Sequence, residues 1–238
     1  MPPAIPISSA VPEGCQDCHV RHSGICAVLT ASELQRLAQS ARHTRHDAGA
    51  PLLFENSAIT SYANVVEGVV KLSRVLRDGK QQLVGLQFAP DLLGRLFGDE
   101  NLLNVEAASD VDLCRVPRNV LEELVASSTE LKQRLLDQSL QDLDDARDWM
   151  VTLGRKDAQQ RVASLLLLIA KRSGADAADT GTSFDLPLSR SDMADFLGLT
   201  IETVSRQISK LRHEGVIEVA NHRRVTVPDM ARLAHRAG

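Results

Sequence analysis

The chain has 238 residues, 43% hydrophobic and 24% charged, with a net charge of −4, a composition suited to one or two water-soluble domains that each bury a core. No apolar run reaches the roughly 18 residues a membrane span needs, the longest being Val162 to Ala170, so no membrane partner is expected. The mild acidity excludes a chain coated in positive charge but leaves room for a local basic face, and 3% aromatic content argues against a stacking platform for single-stranded nucleic acid.

In chain order, MPPAIPISSAVPEG lacks the basic and apolar regions of an export signal and reads as a flexible arm. Cys15, Cys18 and Cys26 follow within twelve residues, and Cys114 stands alone in mid-chain. Without an export signal these cysteines are not a disulfide framework; their uneven placement suggests a site assembled by folding. Spacing alone leaves three chemistries open. They are half a zinc site completed by His22 or Cys114, an iron–sulfur centre closed by the distant cysteine, and free thiols or a redox disulfide. His19 and His22 fit a solvated loop equally well.

From Ala48 to Pro117 short alternating apolar runs broken by glycine predict a small antiparallel barrel or sandwich. YANVVEGVVKLSRVLRDGKQQLVGLQF reads as three strands, with a hairpin signal at Arg77-Asp78-Gly79-Lys80. VDLCRV places Cys114 on or beside a strand. Gly94, Gly98 and Arg95 offer parts of a phosphate pocket, but Glu106 stands where a cation would help, so no cyclic nucleotide is expected.

After Pro117 the period becomes helical through Leu121, Leu124, Val125, Leu131 and Leu135. A helix predicted from Thr129 to Thr152 carries Leu136, Leu143 and Met150 at intervals of seven, with Leu140 and Leu153 near them. That is a dimerisation seam, most simply for a second copy of the chain, although packing on its own domain would write the same stripe. Asp142, Asp144, Asp145 and Asp148 crowd this helix. They read as a solvated face or, against a symmetry mate, as repulsion that keeps assembly marginal and switchable.

Arg155 to Lys171 reads as a further helix and SGADAADTGTSF as a polar loop. Ser189 with Asp192 then caps a helix to Leu197, Gly198-Leu199 turns, and Thr200 caps a helix from Ile201 to His213. Gly215 ends it, and VIEVA-NHRR-VTV reads as a two-stranded wing. Helix, turn, helix and wing form a DNA-reading unit whose second helix enters the major groove; use of such a unit for protein contact is the other reading. Glu202, Ser205 and Arg206 share one exposed face near that helix's start. Arginine suits guanine O6 and N7, glutamate suits cytosine N4, and Ser205 suits a base edge or a phosphate. Lys210, Arg212, Arg223 and Arg224 suit phosphates, joined by Ser189, Thr200 and Thr203 at the helix starts. No enzyme constellation appears: His213 and His222 lie in the DNA-facing unit, and no phosphate-binding glycine loop precedes a lysine.

The cysteine set, PDLLGRLFG, EAASDVDLCRV and above all LSRSDMADFLGLTIETVSRQISKLRHEGVI resemble the CRP/FNR superfamily of bacterial regulators. The likeness is greatest to its oxygen-responsive FNR branch, in the FnrL-type form of alphaproteobacteria. The resemblance implies an α+β fold: a cluster-binding arm over 1–30, a β-roll sensory domain of the cyclic-nucleotide-binding kind over 31–128, a dimerisation helix over 129–153, and a winged helix-turn-helix over 154–238. It also implies a [4Fe–4S] cluster on Cys15, Cys18, Cys26 and Cys114, with a longer gap between the second and third cysteines than enterobacterial members have. The expected protein is a cytoplasmic homodimer that reads a TTGAT-N4-ATCAA-type palindrome in double-stranded DNA, meets RNA polymerase at activated promoters, and lets go when oxygen degrades the cluster. Arg206 is expected at the guanine and Glu202 at bases of the opposing strand. Relatives that bind cyclic nucleotides carry a Gly-Glu pair and a later Arg-Ser or Arg-Thr in the pocket; this chain has Gly98-Asp99 and no such arginine pair there, which implies no nucleotide. A thiol- or zinc-based redox regulator with the same DNA specificity is the alternative expectation.

Overall fold

Alternating apolar residues between positions 42 and 117 build two four-stranded antiparallel sheets in the structure, a computed structural model that describes residues 11–172, 176–178, 181–221 and 223–238. One sheet holds β1 (Arg42–His46), β3 (Ser61–Glu67), β6 (Leu92–Leu93) and β8 (Val111–Pro117) in the order β1-β8-β3-β6. The other holds β2 (Pro51–Leu53), β4 (Val69–Val75), β5 (Gln81–Phe88) and β7 (Asn104–Ala107) in the order β2-β7-β4-β5. Leu52, Ala63, Val65, Val70, Val105 and Leu113 pack together between them. The expected small barrel or sandwich is thus a roll, with Cys114 on β8.

Strand β3 is buried on both faces. Ala63 and Val65 point into the roll, while Tyr62, Asn64 and Val66 point outward, since side chains alternate along a strand. The outer face is covered by α1 (Glu13–Gln16), two short 3₁₀ turns (His19–His22 and Ile25–Val28), α2 (Ala31–Ser40), α3 (Arg118–Ser127) and the first turns of α4 (Thr129–Arg155). Ile25, Leu37, Tyr62, Leu121, Leu124 and Leu131 form the core of this layer. Helix α2 goes unread in the hydrophobic pattern, yet its start is marked: Thr30 accepts from the Glu33 N–H, and Glu33 Oε2 accepts from the Thr30 N–H at 2.8 Å. Of the stretch over 1–14 expected to be flexible, residues 1–10 lie outside the described residues, whereas Glu13 and Gly14 begin α1, which corrects that reading at its end.

The C-terminal domain comprises α5 (Ala158–Arg172), β9 (Asp176–Ala178), β10 (Gly181–Asp185), α6 (Arg190–Leu197), α7 (Ile201–His213), β11 (Glu218–Ala220), β12 (Arg224–Val227) and α8 (Met230–Ala237). Its sheet runs β11-β12-β10-β9. The wing is therefore larger than predicted, and the reading of SGADAADTGTSF as a loop is corrected: β10 pairs with β12, Phe184 opposite Val225, and β9 pairs with β10. The small, polar residues there have low strand propensity, and the pairing partner supplies what the local sequence does not. Residues 173–175, 179–180 and His222 of the wing lie outside the described residues. Val162, Leu165, Leu166 and Ile169 of α5 are fully buried against Met193, Leu197, Val204 and Leu233.

The two domains touch where the β4–β5 hairpin lies on α6. Lys71 Nζ sits 2.7 Å from Glu106 Oε1 and 2.8 Å from Asp192 Oδ1, and Gln82 Nε2 donates to the Asp195 carbonyl at 2.6 Å. Burial pulls the Lys71 ammonium down, but the two carboxylates outweigh it and hold its pKa above the ordinary lysine value. Nearby, Arg172 pairs with Asp91 and lies over the Phe88 ring at 5.5 Å. Among the described residues no helix is long and apolar enough to cross a membrane.

Candidate functional site

The arm and the roll bring the four cysteines to one pocket. Cys15 comes from α1, Cys18 from just before the first 3₁₀ turn, Cys26 from the second turn and Cys114 from β8; all four are free thiols that line the pocket together with Arg21, His43 and Asn64. Cys114 is included in this lining and His22 is not. Cys15 and Cys114 are buried, Cys18 and Cys26 half-buried. Burial, then the charges of Cys114, Cys15 and Cys18, push the Cys26 thiol up to about 12. Burial and the charges of Cys15 and Cys18 push Cys114 up to about 11. Burial raises Cys15 too, with Cys18 adding to it and Arg21 opposing. Thiols this close resist becoming thiolates together unless a cationic centre shares them, which is what a metal site supplies. Among the described residues, no three His, Cys, Asp or Glu side chains close to the spacing of a single-ion site. The thiols border a space and do not converge on one point.

The arm lies flush on the roll. A Cβ at Gly24 would stand 3.1 Å from Pro90 Cβ and 3.5 Å from the Val20 carbonyl, so a larger residue would have to shift Pro90 or the arm by a few tenths of an ångström. From the other side, Arg134 of α4 donates Nη2 to the Ser23 carbonyl, and its buried Nε has no partner among the described residues. The cysteine-bearing arm is thereby tied to the long helix.

Beyond its first turns α4 leaves its apolar stripe uncovered: Leu136, Leu140, Leu143 and Met150 are exposed, Met150 at 73%, and Leu153 is half-buried. Asp144 pairs with Arg147 at 3.0 Å, and Asp145 accepts from Gln141 at 2.9 Å. Asp142 directly precedes Leu143 of the seam. Burial, then Asp91 and Asp145, raises its carboxyl above the ordinary range, with Arg172 opposing. Near the far end of α4, the Trp149 ring meets Phe196 of α6 edge-on, centroids 4.6 Å apart.

The reading unit is closed at each step by its own side chains. Ser189 and Asp192 form a complete capping box, each accepting the other's backbone N–H at 3.0 Å. Gly198 ends α6 in the left-handed region at φ 61°, a conformation glycine adopts without strain. Thr200 Oγ1 accepts from the Thr203 N–H at 3.2 Å, and the two hydroxyls lie 3.1 Å apart where a full box would have a carboxylate. With Val204, Ile208 and Leu211 turned inward, Glu202 and Arg206 stand exposed on the opposite face and Ser205 half-exposed beside them. The backbone N–H at the helix start and the Thr200 hydroxyl hold Glu202 below the ordinary carboxylate range, so it is an ionised acceptor. Lys210, Arg212 and Arg223 are exposed, and Arg224 is exposed but paired with Asp185 at 3.1 Å. The hydroxyls of Ser189, Thr200 and Thr203 serve the caps. The roles of Asn64, Arg134 and Lys71 have no local signature, because each faces a partner or pocket distant in sequence.

Residues 43–128 match the model of the cyclic nucleotide-binding domain, and residues 160–236 match that of the Crp-like helix-turn-helix domain. A "probable transcriptional activator" of Rhizobium leguminosarum bv. viciae is 47% identical over 94% of this chain and 93% of its own. The transcriptional activator protein FnrL of Cereibacter sphaeroides is 40% identical over 94% of this chain and 92% of its own. The solved structure of FixK2 from Bradyrhizobium japonicum is 30% identical and superposes with a TM-score of 0.75, covering 83% of this chain and 98% of that one. The order of the roll, the long helix and the winged reading unit agrees with these likenesses. The chain belongs to the CRP/FNR family and is a DNA-binding transcription regulator, not an enzyme.

Proposed function

We propose that this regulator senses oxygen through a [4Fe–4S] cluster on Cys15, Cys18, Cys26 and Cys114, and that in the cytoplasm it binds TTGAT-N4-ATCAA-type palindromes as a homodimer. The observation that carries this reading is the gathering of four free thiols from the arm and β8 into one pocket. The donor set fits in kind: four sulfur ligands bordering one pocket, whose mutual repulsion a cationic centre relieves. When bound, the cluster supplies the iron and sulfide that hold the arm to the roll and is the group oxygen attacks.

The chain's own residues carry the signal onward. Gly24 keeps the arm close to Pro90, and Arg134 grips the Ser23 carbonyl, so displacement of the arm pulls on α4. The exposed stripe of Leu136, Leu140, Leu143, Met150 and Leu153 pairs with the same stripe of a second copy. That pairing sets two α7 helices about one DNA turn, roughly 34 Å, apart. Arg206 takes guanine, Glu202 accepts from a cytosine amine, and Ser205 reads beside them. Ser189, Thr200, Thr203, Lys210, Arg223 and Arg224 hold phosphates. At activated promoters the bound dimer meets RNA polymerase. In this reading a cyclic nucleotide plays no part, since Asp99 follows Gly98 and Glu106 stands where a cation would serve a phosphate.

The test is iron and acid-labile sulfide per chain on protein purified without oxygen. About four of each, with operator binding lost on exposure to air, is the expected result. Zinc without sulfide, or no metal after anaerobic reconstitution, would replace this reading with a thiol- or zinc-based redox regulator of the same DNA specificity.

A further inference from the structure

The sheet β1-β8-β3 carries a cross-strand row, His43–Cys114–Asn64, on its outward face. Directly paired residues project to the same side of a sheet, and all three line the thiol pocket. The two neighbours of Cys114 are not equivalent. His43 is exposed, so water satisfies its ring. Asn64 is only 4% exposed, and its Oδ1 is buried with no hydrogen-bond partner among the described residues. It interrupts an otherwise apolar face between Tyr62 and Val66. Buried amides are almost always paired, so an orphan here calls for a partner other than the protein side chains present.

The two ends of an asparagine amide differ only by a turn about the last bond. Turned over, the Nδ2 hydrogens occupy the place of the orphan oxygen, and the pocket then needs an acceptor. Thiolate and sulfide sulfurs are acceptors, and N–H groups aimed at them stabilise the more electron-rich state of an iron–sulfur centre. We infer that Asn64 donates its side-chain amide to sulfur on the Cys114 side of the [4Fe–4S] cluster and so slows the transfer of an electron from the cluster to dioxygen. The inference rests on the cluster reading above and makes Asn64 a positioning residue that tunes oxygen sensitivity without ligating iron.

The experiment compares full-length wild type with Asn64→Leu and Asn64→Val, both loaded without oxygen. Each variant should hold as much iron and sulfide as wild type, yet lose its visible absorption in air at least about threefold faster and show a more negative midpoint potential. Without cluster, Asn64→Leu should melt no lower than wild type, because the orphan amide has gone. Unchanged bleaching and potential in loaded variants would overturn the inference while leaving the cluster in place. Markedly lower melting of both cluster-free variants would also overturn it, by showing that the amide is satisfied within the protein. A wild type that takes up no iron and sulfide would remove the cluster reading itself, and this inference with it.

Discussion

In the DNA-binding domain each helix start is closed by a side chain of its own: Asp157 for α5, Ser189 for α6, Thr200 for α7 and Asp229 for α8. In the arm, α1 and both 3₁₀ turns carry no side-chain cap, and the polar groups facing the arm, Asn64 Oδ1 and Arg134 Nε, have no partners among the described residues. The first region draws its stability from an apolar core running from α5 to α8. The second sits on a small patch of Val20, Val66 and Cys114 and sends Ile25 into the layer of Leu37, Tyr62 and Leu121. A reading head that must present Glu202 and Arg206 in fixed register benefits from being complete in itself. In the function proposed above, an arm that must respond benefits from being finished by what its thiols hold.

Breaking the self-sufficient side should have the largest effect. Leu165→Ala, at a fully buried position in α5, should cost about 2–5 kcal/mol in urea unfolding. Val20→Ala should leave the global midpoint almost unmoved and instead speed amide exchange in the arm; equal midpoint shifts would erase the contrast. Next is Arg206→Ala, expected to cost about 1–3 kcal/mol per half-site in operator titrations and to leave nonspecific binding nearly intact. A uniform loss across all DNA sequences would make Arg206 a phosphate contact.

The link between the two regions should respond more modestly. Lys71→Met leaves Asp192 and Glu106 facing each other and should cost about 1–2 kcal/mol of stability, less than a fully buried pair because Glu106 is partly in water. Burial raises the Asp192 carboxyl, but its bonds to Lys71 and Ser189 outweigh that and hold it below the ordinary aspartate value of 3.8. Its share of the contact is therefore present above that value and fades as pH falls through the depressed one. The share of Lys71, whose pKa is raised, holds below the ordinary 10.5 and fades as pH rises through the higher value. A stability profile flat at both extremes would remove the link. Smallest is Asp142→Asn, which should tighten dimerisation a few-fold in sedimentation equilibrium. If Asp142→Asn leaves the dimer unchanged, the repulsion lies elsewhere on α4.

How much of this was legible before folding differs along the same divide. The α7 face is readable because a helical period, a threonine cap and a glycine turn agree within a few residues. Helix α4 is readable from leucines at intervals of seven, and ends three residues past its predicted stop. Strands β9 and β10 are not readable, since Gly, Ala, Ser and Thr acquire strand character only from pairing. The thiol pocket is half readable: Cys15, Cys18 and Cys26 announce themselves, but that Cys114 joins them and His22 does not is decided by the register of β8 and the path of the arm. Asn64 could not be read at all, because a lone polar residue in a strand looks like a solvent-facing position until the arm is seen to cover it. Arg134 and Lys71 share that invisibility, their partners lying 111 and 121 residues away.

Trp149 is the chain's one tryptophan, and it stands where the long helix meets the first helix of the reading unit, half-buried and edge-on to Phe196. Indole emission shifts in colour and intensity with the polarity and packing around the ring. The protein therefore carries an intrinsic optical probe at the contact between its long helix and its reading unit. Ultraviolet excitation, with no dye attached, reports any change in the packing of α4 against α6 when an operator is added.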